Sequence, residues 1–495
     1  MGKSFSTSIS RLSILAIAAF FILGTLLRVE TIAQDPLWHD EILSIVRMHS
    51  GNKTVFIQIE NSNRSLTGDS LIPLIESSRK GPARGRIHMP AFYLLEHAFS
   101  LPFENTRIGA KIFSLLCGAL LPLAVALLAS RLTHGNLAPP VVALLVALNP
   151  TLIAYSVEAR PYSALLLTVT AYLYLLLSPA SATIRQSIFL GVVTLLGTFT
   201  HLLFLPIAWL GFLLKWIFTP TSPLELKRAG TALTVASFSA LPWIAPVLGS
   251  SEAANHFTNQ TTTTSGVLLA TSNVTSVLLG TALPDVSYLG LGVLLCGLIF
   301  ALRQESARAR VAMLTLFAPM LGLLLADLVL GGIRSTVPRY SLTVGIAFAL
   351  AIALLLENIW RHRRMMAAIG FIAITSAQLI APCEIAKHLK GGRYDELAWY
   401  TKTCGNQECL TLSLLPGNRA IEFAANSYSS STIIPISGDL PQPLRTQATS
   451  ALDRGVPVLT ITPLDGIPPM APRDDTRWVE EFVGAQTSVY RLARK

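Results

Sequence analysis

The sequence predicts a polytopic α-helical membrane protein of about eleven spans, with a small α/β domain at its C-terminal end. Three observations predict it. Of 495 residues, 52% are hydrophobic and 13% are charged, whereas an ordinary soluble domain has roughly 25% charged residues. The apolar residues gather in runs that approach the ~20 residues a bilayer crossing requires. Between those runs the arginines and lysines recur on alternate loops, as they do where basic residues are held on one side of a membrane.

On that scale spans are expected near 12–29, 108–130, 138–155, 162–178, 187–200, 202–218, 230–250, 286–302, 311–331, 341–357 and 366–382. With the N-terminus in the cytoplasm, the inner loops carry Arg131, Arg185, Lys215 with Lys227 and Arg228, Arg303 with Arg308 and Arg310, and Arg361 with Arg363 and Arg364. The opposite orientation would place all of these clusters outside. The region 187–218 is read as two short spans meeting at His201. The basic start (Lys3, Arg11) and the apolar run from Leu12 to Leu27 also suit a signal peptide. No clear small-x-small site follows, however, and the run is long for such a core, so it is read as the first span. Met1 to Ser6 fits the loose myristoylation pattern, which a polytopic protein scarcely needs.

The formal charge of +10 is dispersed in short clusters rather than gathered on one face, which argues against a nucleic-acid partner and for the lipid bilayer. Five cysteines are scattered. Cys117 and Cys296 fall inside apolar runs, and no Cys/His spacing suits zinc. No glycine-rich phosphate loop or solenoid repeat occurs. Cys404 and Cys409 are close enough to bridge.

Two larger parts are expected outside the membrane, in a plasma-membrane protein whose site and C-terminal domain are extracytoplasmic. Residues 1–382 form the transmembrane module, with a first outer loop of about 30–107 expected to fold as interfacial helices. Residues 383–495 form the C-terminal domain, where strand-like runs at 409–415, 431–436, 456–462 and 488–492 alternate with helical stretches such as 420–427. The polar tract 261–265 reads as a solvated linker.

The residues that could carry chemistry stand at the expected outer helix ends. Immediately beyond the first span the chain reads Leu37-Trp38-His39-Asp40-Glu41. Later come His88-Met89-Pro90-Ala91-Phe92-Tyr93, Asn149-Pro150, Tyr155-Ser156-Val157-Glu158-Ala159-Arg160-Pro161-Tyr162, Thr200-His201 and Pro338-Arg339-Tyr340. Each alone is readily explained as a solvated loop or as an arginine reaching for lipid headgroups. Their concentration at one face is harder to explain that way.

From about Leu12 to Leu350 the sequence resembles the GT-C superfamily of membrane glycosyltransferases. Within it, the resemblance is to the family 39-like group of protein O-mannosyltransferases and the enzyme that adds aminoarabinose to lipid A. The matching elements are Trp38-x-Asp40-Glu41, His88-x-Pro90-x-x-Tyr93 and Tyr155-Ser156-x-Glu158-Ala159-Arg160-x-Tyr162. The departures are Met89, usually proline in the family, and Val157, frequently glutamine. The resemblance implies an inverting hexosyl- or pentosyltransferase with a polyprenyl-phosphate sugar donor, and a catalytic role for Asp40 with Glu41 beside it.

The chemistry of the residues agrees. Transfer of a sugar from a phosphate ester to a hydroxyl needs a base at the acceptor proton and cations at the leaving phosphate, away from bulk water. Asp40 can be the base. Arg160 and Arg339 can grip a phosphate through paired hydrogen bonds. His88, Glu158, Tyr162, His201 and Tyr340 are candidate substrate contacts. Asp40 and Glu41 could hold a divalent ion, but adjacent residues rarely both reach one hard cation, so metal independence is expected and no cofactor is called for. The acceptor stays open among lipid, glycan and protein. A lipid-linked sugar flippase, and a polymerase or ligase of lipid-linked glycans, are the competing readings. A flippase would more usually place its ionisable groups near the membrane midplane, within paired broken helices.

Overall fold

In the computed structural model, the described residues are 10–37, 41–42, 44, 66–67, 89–103, 106–133, 135–178, 183–249, 274, 287–330, 335, 338–380, 394–404, 407–414, 432–435, 440–463, 468–469, 471–473, 475–483 and 487–494. The chain divides into two compact units. The first comprises 1–32, 86–95 and 112–385, and the second 33–85, 96–111 and 386–495.

The helices of the first part of the chain are α1 (Arg11–Gln34), α2 (Pro90–Ser100), α3 (Thr106–Leu132), α4 (Ala138–Leu148), α5 (Pro150–Ser156), α6 (Tyr162–Leu176) and α7 (Ile184–Thr200). They continue as α8 (Phe204–Phe218), α9 (Pro223–Gly249), α10 (Ser287–Leu302), α11 (Ala307–Leu330), α12 (Leu342–His362) and α13 (Arg364–Ile380). Every apolar run expected to span is therefore helical. Among the described residues four helices are long and apolar enough to cross a membrane, or five if a bent pair counts as one crossing. Apolar side chains stay exposed on their flanks, among them Leu12, Leu15, Phe238, Val329, Met365 and Ile372. Such faces need a hydrocarbon solvent, and the protein is a multi-pass membrane protein.

The bent pair corrects the single span expected over 138–155. Helix α4 stops at Leu148, and α5 leaves it at 63°. Pro150 has no amide hydrogen to continue the ladder. Instead Asn149 turns out of helical geometry, its side-chain oxygen accepts from the Leu152 amide at 2.9 Å, and Pro150 begins the new helix, a favourable start for both residue types. Helix α4 lies deep in the unit, with ten of its eleven residues buried. Its first turn is satisfied by Glu357 of α12, whose carboxylate accepts from the Ala138 amide at 3.0 Å and from the Thr133 hydroxyl at 2.6 Å. A carboxylate there also complements the positive end of the helix dipole.

The second unit holds a six-stranded mixed sheet. Its strands are β1 (Leu66–Thr67), β2 (Leu410–Ser413), β3 (Thr432–Pro435), β4 (Val458–Pro463), β5 (Thr476–Val483) and β6 (Thr487–Arg494), in the order β1-β3-β2-β4-β6-β5. The central pairs β2–β3 and β2–β4 are parallel, whereas β4–β6 and β5–β6 are antiparallel. All four runs expected as strands are strands. Helices α14 (Tyr394–Cys404) and α15 (Gln442–Asp453) and strand β5 join them, and Ala448 and Ala451 of α15 pack on Leu410, Val458 and Leu492. Strand β1 belongs to the first loop, where only helices were expected. Helix α2 is described there as well. The expected helix at 420–427 and the tract 261–265 lie outside the described residues.

Cys404, at the end of α14, is bonded to Cys409, just before β2, with Cα atoms 5.7 Å apart and both side chains buried. The closed loop is short, so the bond should contribute no more than about 2 kcal/mol. Alkylation of the purified protein under denaturing conditions without reductant should leave Cys404 and Cys409 unmodified, whereas prior reduction should expose both. A Cys404→Ser/Cys409→Ser double variant should keep its activity.

Candidate functional site

Beyond Ser156 the chain makes a tight, buried passage into α6. The Arg160 amide donates to the Glu158 carbonyl at 2.7 Å, and the Leu165 amide donates to the Pro161 carbonyl at 2.8 Å. Val157, Glu158, Ala159 and Arg160 are all buried. A loop at this depth must have its polar atoms satisfied. Helix α3 contributes by exchanging two bonds: the Ser114 hydroxyl donates to the Arg160 carbonyl at 3.0 Å, and the Ser163 hydroxyl donates to the Ser114 carbonyl at 2.9 Å.

The loop delivers Arg160 to the ring of Tyr162. The guanidinium carbon lies 5.7 Å from the ring centroid, and Nη2 donates to the Tyr162 hydroxyl at 3.4 Å. Arg339, in the 3₁₀ turn Pro338–Tyr340 just before α12, approaches the same ring at 6.0 Å and the Tyr340 ring at 5.7 Å. Tyr155 meets Tyr162 edge-on at 5.6 Å, and the His201 ring lies 5.6 Å from Tyr162. Two guanidiniums from distant parts of the sequence therefore converge on one tyrosine, with aromatic rings around them. Packing of this kind holds a planar cation in place.

His201 joins α7 to α8 and is fixed by its backbone and ring together. Its amide donates to Gly197, its carbonyl accepts from Phe204, and Nδ1 accepts from the Leu203 amide at 3.1 Å. Burial, reinforced by Arg160 and Arg339, holds its pKa down to about 3. The imidazole is therefore neutral, with Nδ1 as acceptor and its proton on Nε2.

Glu41, in the second unit, is fully buried. Its carboxylate lies 3.3 Å from Lys111 Nζ. Lys111 also donates to the Asp35 carboxylate at 2.5 Å and to the Asp35 carbonyl at 2.9 Å. A buried ammonium requires such company, and removing one partner from a buried ion pair typically costs about 3–5 kcal/mol. Asp40 and His88 lie outside the described residues. Among the sequence-derived candidates, the structure thus brings together Arg160, Tyr162, His201, Arg339 and Tyr340, with Glu158 in the same loop, whereas Glu41 has a separate set of partners.

Sequence reasoning missed three residues here: Lys111, Ser114 and Arg28. The signal for Arg28 and Lys111 was available, since a cation in or beside an apolar run demands a partner.

The fold has counterparts among solved structures. Among solved structures, ArnT from Cupriavidus metallidurans, in a structure bound to undecaprenyl phosphate, is similar with a TM-score of 0.50 and 12% identity, over 97% of this chain and 97% of that one. The archaeal oligosaccharyltransferase AglB from Archaeoglobus fulgidus, in complex with an inhibitory peptide and a dolichol-phosphate, matches with a TM-score of 0.45 and 12% identity, over 91% of this chain and 69% of that one. At such identity the likeness to ArnT speaks for the fold alone. No family model matches the chain, and no curated protein sequence matches it.

The state of His201 has a consequence for acid stability. Its folded pKa lies below the ordinary 6.5, so the unfolded chain binds the extra proton first. The stability that this accounts for is complete above pH 6.5 and is lost as pH falls toward 3. Between pH 6.5 and 4 the parent should therefore lose more melting temperature than His201→Gln, measured by thermal unfolding in detergent. Equal losses would mean that the ring is already accommodated as a cation.

Proposed function

We propose that the chain is an integral membrane glycosyltransferase that transfers a sugar from a polyprenyl-phosphate donor to a hydroxyl of a lipid, glycan or protein acceptor. The convergence of Arg160 and Arg339 on Tyr162 is the observation that carries this reading. The likeness of fold to ArnT, whose structure is bound to undecaprenyl phosphate, supports it. In this reading the chain crosses the plasma membrane eleven times, and the arginine cluster and the C-terminal unit are extracytoplasmic. The Cys404–Cys409 bond supports that side of the membrane, because disulfides persist in oxidising compartments.

The acceptor hydroxyl gives its proton to Asp40 as its oxygen attacks the anomeric carbon of the sugar. The bond from that carbon to the phosphate oxygen breaks with inversion, and polyprenyl phosphate leaves. Arg160 and Arg339 bind the phosphate and offset the charge that grows on the departing oxygen, a role in which fixed donors act strongly when water is excluded. Neutral His201, Glu158, Tyr162, Tyr340 and His88 contact the substrate. Glu41, tied to Lys111, positions the segment beside Asp40 rather than exchanging protons. No resident metal takes part in this scheme.

Asp40→Asn preserves the side-chain shape but cannot take a proton, so turnover should fall by about 100-fold or more with binding of polyprenyl phosphate retained. Single-turnover transfer in reconstituted vesicles measures this. Activity equal to the parent's would reject Asp40 as the base, and a loss confined to Glu41→Gln would reverse the two roles.

Lysine keeps the charge of an arginine but lacks its paired donors. Arg339→Lys and Arg160→Lys should therefore weaken polyprenyl-phosphate binding and slow transfer nearly as much as the alanine variants, with the larger effect at Arg339. Titration with undecaprenyl phosphate and the same transfer assay check both. If lysine serves as well as arginine at both positions, the side chains merely meet headgroups. Binding without any transfer in the parent protein would favour the flippase.

A further inference from the structure

Arg28 lies on α1, within an apolar helix, and is completely buried. Its guanidinium fits the break between α4 and α5. Nη1 donates to the Ala147 carbonyl at 3.3 Å, Nη2 to the Val146 carbonyl at 3.4 Å and Nε to the Ser156 hydroxyl at 3.1 Å, while Nη1 also reaches the Gly24 carbonyl at 2.8 Å. In an unbroken helix Val146 would accept from the amide of residue 150, but Pro150 has none. Ala147 would accept from Thr151, which the bend carries away. Arg28 thus supplies the hydrogens that the break withholds, and it puts a positive charge at the negative end of α4. The opposite end carries Glu357.

The fit extends to the neighbouring backbone. A Cβ at Gly24 would come within 2.9 Å of Ala147 Cβ and 3.2 Å of its Cα, and a Cβ at Gly118 on α3 would collide with the Ser156 side chain. Ser156, whose hydroxyl also bonds Leu152, is therefore held between α1 and α3 by contacts with no slack. It is the last residue of α5. The loop that follows carries Glu158 and Arg160, and its far end is anchored when Ser114 bonds the Arg160 carbonyl.

We propose that Arg28 is a positioning residue for the Arg160 cluster, setting the height and direction of the 157–161 loop through Ser156 and the end of α4. The inference rests on the donor-phosphate reading of Arg160. A guanidinium reaches four oxygens in different directions, and an ammonium on a shorter stem does not. Lysine at position 28 therefore keeps the charge and loses the geometry.

The test uses the full-length protein in lipid nanodiscs, with undecaprenyl phosphate as the probe. Arg28→Lys should bind it about tenfold more weakly, since small displacements of a positioning group are costly. In an Arg160→Lys background the same change should have little further effect, because the loop has already lost what Arg28 positions. Hydrogen exchange over residues 150–161 should quicken in Arg28→Lys, with helices α8 and α11 unchanged. Should Arg28→Lys fail to fold, Ser156→Ala removes one of the same bonds and should show the same two effects in weaker form. If Arg160→Lys weakens binding and Arg28→Lys does not, or if the two losses simply add, Arg28 is a structural residue only and the proposal fails while the donor reading stands. If Arg160→Lys itself binds as the parent does, the donor reading fails. The exchange of 150–161 then decides whether Arg28 positions the loop at all, and unchanged exchange overturns it.

Discussion

A proline in the middle of a buried helix leaves a carbonyl without its hydrogen, and within a membrane there is no water to replace it. Pro150, buried in the helical unit, creates that deficit. The arrangement around it follows from the deficit: α4 ends early, Asn149 caps a new helix, and Arg28 crosses from α1 to bond the exposed carbonyls. The gain is a change of chain direction at depth. A straight helix would have carried Tyr155 to Tyr162 onward along one axis, whereas the 63° bend turns the chain into the buried loop that delivers Arg160 to Tyr162.

Charge in the two units is handled by one rule, applied in two ways. Arg28 is satisfied almost entirely by oxygens of peptide and hydroxyl groups. Lys111 is satisfied by two carboxylates and a carbonyl. The first arrangement fixes backbone, and the second fixes the two acidic residues on either side of the Trp38-His39-Asp40 segment. In both, the ion is buried deeply enough that its partners have no alternative in solvent, so geometry becomes nearly unique. Arg160 and Arg339 differ from these. Their described neighbours include aromatic faces, which orient a planar guanidinium.

Much of this was legible in the sequence because hydrophobic length and arginine placement are strong local signals. The apolar runs became helices with ends shifted by a few residues, and the strand-like runs after 409 became strands. Arg160, Tyr162, His201, Arg339 and Tyr340 were recognisable as polar or aromatic groups at helix ends, and they meet. The break at Pro150 was not read, although Asn149-Pro150 spells a cap followed by a helix start; hydropathy averages across it. Ser114 was invisible because its role depends on which segment packs beside α3, and no local pattern encodes that. Strand β1 was missed for the same reason. Two residues, Leu66 and Thr67, become a strand only because Ile433 and Thr432 lie opposite them.

That pairing has a temporal side. Leu66 and Thr67 emerge from the ribosome more than three hundred residues before Thr432 and Ile433 do. The β3 partner of β1 is made only after every helix from α3 to α13, and closing so long a loop is a late and slow event. The first loop therefore waits through the insertion of every helix from α3 to α13 before its strand can pair. The strands that follow α13 thus complete the sheet to which β1 belongs.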